Sequence, residues 1–203
     1  MLKLFAIIAI GLAVLAVGAL LVFVYVIQNV EQPEYVLLRQ DGDFELRYYP
    51  AMTVAEVRRE GDRKEALGAG FGPLARYIFA KERDGEKIAM TAPVIQQPST
   101  EGTADGRWSV GFIMPKAAVA AGLPAPASPD VRLTELPPRR VAAVRFSGRT
   151  TDERTAEHRE RLENWMTAQG QTAIAPPIYA YYNDPMTPGP LRRNEILFEV
   201  AEQ

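Results

Sequence analysis

Residues 45–61 read ELRYYPAMTVAEVRREG, and residues 132–148 read RLTELPPRRVAAVRFSG. Laid over one another at an offset of 87, they place Pro50 on Pro137 and Gly61 on Gly148. Leu46, Val54, Ala55 and Val57 then meet Leu133, Val141, Ala142 and Val144, and Arg58 meets Arg145. A proline, a glycine and four apolar matches at one constant offset are hard to obtain by chance and mark an internal duplication. In both copies Val and Ala recur at strand spacing between a proline and a glycine, the residues that bound strands. The fold is therefore read as two like halves, about residues 35–115 and 130–201.

The same succession of patterns extends outward from each copy. Tyr35–Arg39 and Phe44–Tyr48 read as short strands around Asp41-Gly42-Asp43, and Thr53–Arg59 as the strand inside the first copy. Asp62 is a good N-cap for a helix reaching Phe79, in which Leu67, Phe71, Leu74 and Ile78 recur on one face. Gly68, Gly70 and Gly72 each weaken that helix by up to about 1 kcal/mol relative to alanine. Pro73 removes an interior hydrogen bond, so a break or kink is expected near Gly72. Glu86–Gln97 and Trp108–Pro115 read as a hairpin joined by the polar loop Pro98–Gly106, and a Pro/Ala-rich connector follows over Lys116–Pro129. The second half then offers a helix over Asp152–Thr167, with Leu162, Trp165 and Met166 opposite a charged side. Its hairpin is Ile174–Tyr182 and Asn194–Ala201, joined by the proline-rich turn Asn183–Pro190. Each half is thus β-α-β-β. Two of them are expected to merge their sheets and pack one helix each against the result, an α+β architecture.

Ahead of the duplicated region, Leu4–Ile27 contains no charged or strongly polar residue. At ~1.5 Å per residue it reaches about 36 Å, enough to cross a ~30 Å hydrocarbon core. Gln28-Asn29-Val30-Glu31 offers no small-x-small cleavage site, and the apolar run is longer than a signal peptide needs. The expectation is a single-pass anchor over residues 1–30, followed by a short tether and a globular domain over 31–203. Lys3 precedes the run while Glu31 and Glu34 follow it, which favours an N-terminus in the cytoplasm and a domain on the extracytoplasmic, periplasmic side.

Composition narrows the chemistry. The net charge is −2, with no broad basic field to hold a polyanion, which argues against nucleic acid as a partner. Cysteine is absent, which removes thiolate catalysis, Cys-ligated zinc and iron–sulfur clusters. His158 is the single histidine and sits among Glu157, Arg159, Glu160 and Arg161. It reads as an exposed surface residue, the sharper alternatives being an iron ligand or a general base. Arg192-Arg193-Asn194-Glu195 opens the last strand. Either the arginines and Glu195 brace the turn through buried ion pairs, or a guanidinium receives a carboxylate from a ligand. Met90, within Ala89–Val94, either fills a core or lines a flat apolar pocket. The Leu67–Phe71–Leu74 face is likewise open to two readings. It packs on the sheet, or, with glycines thinning its flanks, it lets something flat approach the backbone.

At these motifs the sequence resembles the SOUL haem-binding-protein family. Lys87-Ile88-Ala89-Met90-Thr91-Ala92-Pro93-Val94 is similar to one family signature. Tyr182-Asn183-Asp184-Pro185-Met186-Thr187-Pro188 followed by Arg192-Arg193-Asn194-Glu195-Ile196 is similar to the other. The resemblance spans about Tyr35 to Val200 and implies a duplicated, distorted barrel-like sheet. It also implies binding of haem or another tetrapyrrole in a shallow apolar groove beside the first helix. No histidine lies near that groove, so haem is expected to be held non-covalently and without an axial ligand. On this reading Leu67, Phe71, Leu74 and Met90 contact the ring, and Arg192 or Arg193 pairs with a propionate.

The function expected is therefore a membrane-anchored, non-catalytic haem- or tetrapyrrole-handling protein. The alternatives are a binding module for a different amphipathic small molecule, a haem-degrading enzyme, and a scaffold for other envelope proteins.

Overall fold

The chain divides into two units, Met1–Glu31 and Gln32–Gln203. This computed structural model describes residues 11, 14, 15, 18, 30–99 and 106–201. In the first unit Gly11, Val14, Leu15 and Gly18 are helical, with Val14 and Leu15 exposed. The rest of the apolar segment expected to span a membrane, residues 4–27, lies outside the described residues. Among the described residues no helix is long and apolar enough to cross a membrane.

The second unit is a mixed α+β fold on one antiparallel sheet. Its strands are β1 (Val36–Asp41), β2 (Phe44–Tyr49), β3 (Met52–Glu60), β4 (Val94–Pro98), β5 (Arg107–Ile113), β6 (Arg132–Leu136), β7 (Arg139–Ser147), β8 (Ile178–Tyr181) and β9 (Arg193–Val200). Three helices accompany them among the described residues: α1 (Arg63–Ile78), α2 (Lys116–Ala121) and α3 (Asp152–Ala168). The strand order is β1-β2-β7-β9-β8-β4-β5-β3-β6. The duplication is written into this order. Without β1 it reads the same from either end once β2, β7, β9 and β8 are exchanged for β6, β3, β5 and β4.

The register carries the same offset. Leu46 faces Ala142 across β2 and β7, and its repeat mate Leu133 faces Ala55 across β6 and β3. Each half therefore donates the strand before its proline to the other half. Pro50 and Pro137 sit between those strands, where a residue without an N–H ends the ladder. The unit is β-β-α-β-β with an exchanged first strand, a correction to the β-α-β-β expected. In the middle, the mates β4 and β8 pair with each other, Ile95 opposite Ala180, and join the halves. Among the described residues the sheet ends at β1 and β6, so the barrel-like sheet implied by the resemblance is not closed there.

Period-two alternation divides the side chains between two faces. On one, α1 packs Leu74, Tyr77 and Ile78 against Ala55, Val57, Val110 and Phe112. On the same face α3 packs Leu162, Trp165 and Met166 against Ala142, Val144, Ile196 and Phe198. On the other face Tyr49, Val141, Ala143, Ile178, Ala180 and Leu197 form a separate apolar cluster, flanked by Met52 and Ile95. The mates Val54 and Val141 are both buried, as the repeat predicts.

Helix α1 begins as read: Asp62 accepts from the Glu65 amide at 2.8 Å, and the Glu65 carboxylate accepts from the Asp62 amide. It does not break near Gly72. Pro73 cannot donate to the Ala69 carbonyl, and Arg59 Nε donates to that oxygen instead at 3.3 Å. Gly70 faces the sheet, where a Cβ would stand 2.7 Å from that of Val110. It sets how closely α1 approaches β5 rather than opening a surface. Two strands start later than expected. β4 begins after Pro93 rather than at Glu86, and β8 after Pro176-Pro177 rather than at Ile174, because proline supplies no ladder donor. The connector read as irregular contains α2, an alanine-rich turn and a half.

Candidate functional site

Four predicted site residues cluster around α1, in unequal ways. Leu74 is fully buried inside the first-half core and has no surface to offer a ligand, a correction to its place in the groove. Leu67 and Met90 are half-buried on the rim of that core. Phe71 is 43% exposed, its ring meeting Phe112 edge-on at a centroid distance of 5.2 Å. One turn before it, Gly68 presents bare backbone to open space. Leu67, Phe71 and Met90 thus border one core.

The arginines are elsewhere. Arg192 Nε donates to the Thr187 carbonyl at 2.7 Å, and its guanidinium also donates to the Pro185 carbonyl, which braces the turn before β9. Arg193 Nη2 donates to Glu195 Oε1 at 2.7 Å, and the guanidinium lies 3.8 Å from the centre of the Tyr182 ring. Arg193, Glu195 and Leu197 alternate with Asn194, Ile196 and Phe198, and the latter set faces α3. Arg193 is therefore on the sheet face opposite the helices. Both guanidiniums, expected to meet a propionate, are bonded to the protein's own acceptors. The ion-pair alternative describes Arg193, whereas Arg192 braces the turn through backbone carbonyls.

Around Glu195 is a buried ionic cluster. Glu195 is 1% exposed and accepts from Arg47 Nη1 at 2.6 Å, Arg145 Nε at 3.2 Å and the Tyr182 hydroxyl at 3.0 Å, besides Arg193. Arg47, fully buried, also donates to Glu45 at 2.7 Å and to the Tyr49 hydroxyl at 3.0 Å. Burial alone would push the Glu195 carboxyl up. The hydrogen bonds and charge of Arg47, with Arg193, outweigh it and hold the group at about 2. Burial and the Glu195 charge together push the Tyr182 hydroxyl well above its ordinary range. Arg47 escaped the sequence reading because its repeat mate is Thr134, so the duplication does not flag it. The available signal was Glu45 and Arg47 two apart on one strand.

His158 is 8% exposed, not on the surface, and its ring stacks on Phe146 at 4.1 Å and 16°. Thr155, His158, Leu162 and Trp165 share the buried face of α3, two of them polar, so counting apolar residues alone misassigned it. Nδ1 lies 3.1 Å from Arg161 Nη1. Burial, then Arg161, depresses the imidazole pKa. A stacked ring with an engaged Nδ1 in the second half is not an iron ligand for a groove beside α1. Among the described residues no group of three or more His, Asp or Glu is placed to hold a metal ion. The half-buried Leu67 and Met90 and the exposed Phe71 carry no titratable side chain.

A family profile described as SOUL heme-binding protein matches residues 30–199. The chain belongs to the SOUL family. This SOUL chain is 26% identical over 150 residues to Heme-binding protein 2 of Mus musculus, covering 72% of its own length and 73% of the mouse protein. The crystal structure of the EcmrR C-terminal domain matches with a TM-score of 0.60 at 15% identity, covering 82% of the SOUL chain and 100% of that domain. A hydrolase from Listeria innocua matches with a TM-score of 0.55 at 14% identity, covering 81% of the chain and 94% of the hydrolase. At such identities these two likenesses are of fold alone.

Proposed function

We propose that this SOUL protein binds a tetrapyrrole, or a planar amphipathic ring of that kind, against the surface of Leu67, Phe71 and Met90, without catalysis. The observation that carries the reading is Phe71. A large aromatic side chain left 43% exposed beside two half-buried apolar neighbours is a ready stacking platform. Haem, when bound, brings its own metal chemistry. The chain's part is to stack on the ring, strip water from one side of it and leave the metal to solvent or to other ligands. The apolar segment of residues 4–27 supports a second element of the proposal: the domain is tethered to a membrane, on the side away from Lys3.

A haem titration of the full chain in detergent, followed by Soret absorbance, tests the site. Phe71→Ala should weaken binding by about 1–2 kcal/mol through lost stacking and burial. An unchanged affinity in that variant removes α1 from the site.

A further inference from the structure

All six residues of β1, Val36–Asp41, are exposed, and no other strand among the described residues is open along its whole length. Val36, Leu37 and Leu38 stand in a row at 59%, 47% and 47% exposure. Three consecutive aliphatic side chains left to water mark a surface made for contact with something apolar. Because β1 is an edge strand, a further strand paired with it is the first candidate. Its geometry argues otherwise. The register with β2 slips between Leu37 and Arg39 and leaves Leu38 without a partner there, and a bulge of this kind twists an edge away from further pairing. Val36 pairs with Tyr48 and Leu37 with Arg47, so these two side chains stand on opposite faces of the sheet. An added strand covers chiefly the edge, whereas an apolar medium around β1 covers both faces.

The chain ahead of β1 identifies that medium. Gln32 accepts from Arg193 Nη1 at 3.0 Å, and Glu34 pairs with Lys116. The Tyr35 hydroxyl donates to Glu45 at 3.1 Å, and its ring lies 5.3 Å from that of Tyr49. Residues 32–35 are thus fixed to the domain. From Ile27, the end of the leading apolar run, to Gln32 is a step of five residues, at most about 18 Å of extended chain. Four residues more reach Val36. We propose that β1 docks on the bilayer that the leading run enters, with Val36, Leu37 and Leu38 in the boundary between headgroups and acyl chains. The proposal rests on the anchor reading of residues 4–27 and goes beyond it, since an anchor alone requires no part of the domain to touch lipid. Burial of these side chains at the interface holds the domain in one orientation to the membrane.

The chain has no cysteine, so a single nitroxide label can be placed at a chosen site. The full chain is reconstituted in phosphatidylcholine vesicles with the label on Leu38→Cys, on Leu15→Cys, or on Leu133→Cys of the other edge strand, β6. Relaxation of each label by oxygen, which concentrates in lipid, is compared with relaxation by a water-soluble nickel chelate. Oxygen should be the stronger relaxant at positions 38 and 15, and the chelate at position 133. Labels on Val36→Cys and Leu37→Cys give the same reading if the Leu38 variant does not fold. Lipid at position 15 with water at 36, 37 and 38 overturns the docking and leaves the anchor standing, whereas water at position 15 overturns both. Lipid at position 133 as well overturns the choice of β1. Water at β1, with spin–spin broadening that disappears on dilution with unlabelled chain, overturns the proposal by assigning the edge to a second copy.

Discussion

Glu195 shows how one side chain ties the second half together. A carboxylate sealed among Arg47, Arg145 and Arg193 is tolerable only because each partner is placed, and removing one leaves charge uncompensated. Arg47→Met should cost about 3–5 kcal/mol in chemical denaturation. A loss under about 1 kcal/mol would show that the cluster reorganises freely. Two residues give the domain an acid limit, in separate windows. Glu195 is depressed from 4.5 to about 2, so its stabilisation is complete above 4.5 and drains as pH falls toward 2. His158 is depressed below 6.5, so the cost of protonating it begins as pH drops under 6.5. His158→Phe should flatten the stability–pH curve just below 6.5 and leave the lower window in place. A curve that keeps its upper slope in that variant would assign the upper window to another group.

At the scale of elements, α1 is a helix held against its sheet by missing atoms. Gly70→Ala places a methyl group 2.7 Å from Val110 and should cost roughly 1–3 kcal/mol, as overpacking does. Gly68→Ala meets open space and should stabilise by up to about 1 kcal/mol. Thermal melts of the pair should move in opposite directions, and movement in the same direction would misplace the buried face of α1. Much of this level was legible in the sequence. The strands of the repeat, the Asp62 cap and both long helices follow from local pattern and capping chemistry. The exchange of β2 and β6 between halves was not, because a strand's own residues do not name its partner across the sheet. Pro73 misled because its rescue comes from Arg59, outside the helix. Where the expected site residues sit in the packing was legible in part for the same reason. Phe71, Leu67 and Met90 are local to one core, whereas Leu74 and the Arg193–Glu195 pair are decided by packing over long separations in the chain.

For the molecule as a whole, the β4–β8 junction makes two halves one sheet and leaves its two faces with different chemistry. One is covered by α1 and α3 and presents Phe71 at its margin. The other carries the ionic cluster. The apolar residues ahead of the domain make a further expectation. A reporter active only outside the cytoplasm, fused after Gln203, should be active, and activity confined to a cytoplasmic reporter would reverse the proposed orientation. The central claim is that a tetrapyrrole is held through its ring and not through its metal. It is tested most directly by comparing the dissociation constants of haem and metal-free protoporphyrin for the full chain. The two should agree within about tenfold, ~1.4 kcal/mol, with His158→Ala changing neither. Haem binding more than about a hundredfold tighter than the metal-free ring, with its Soret band lost in His158→Ala, would contradict the account.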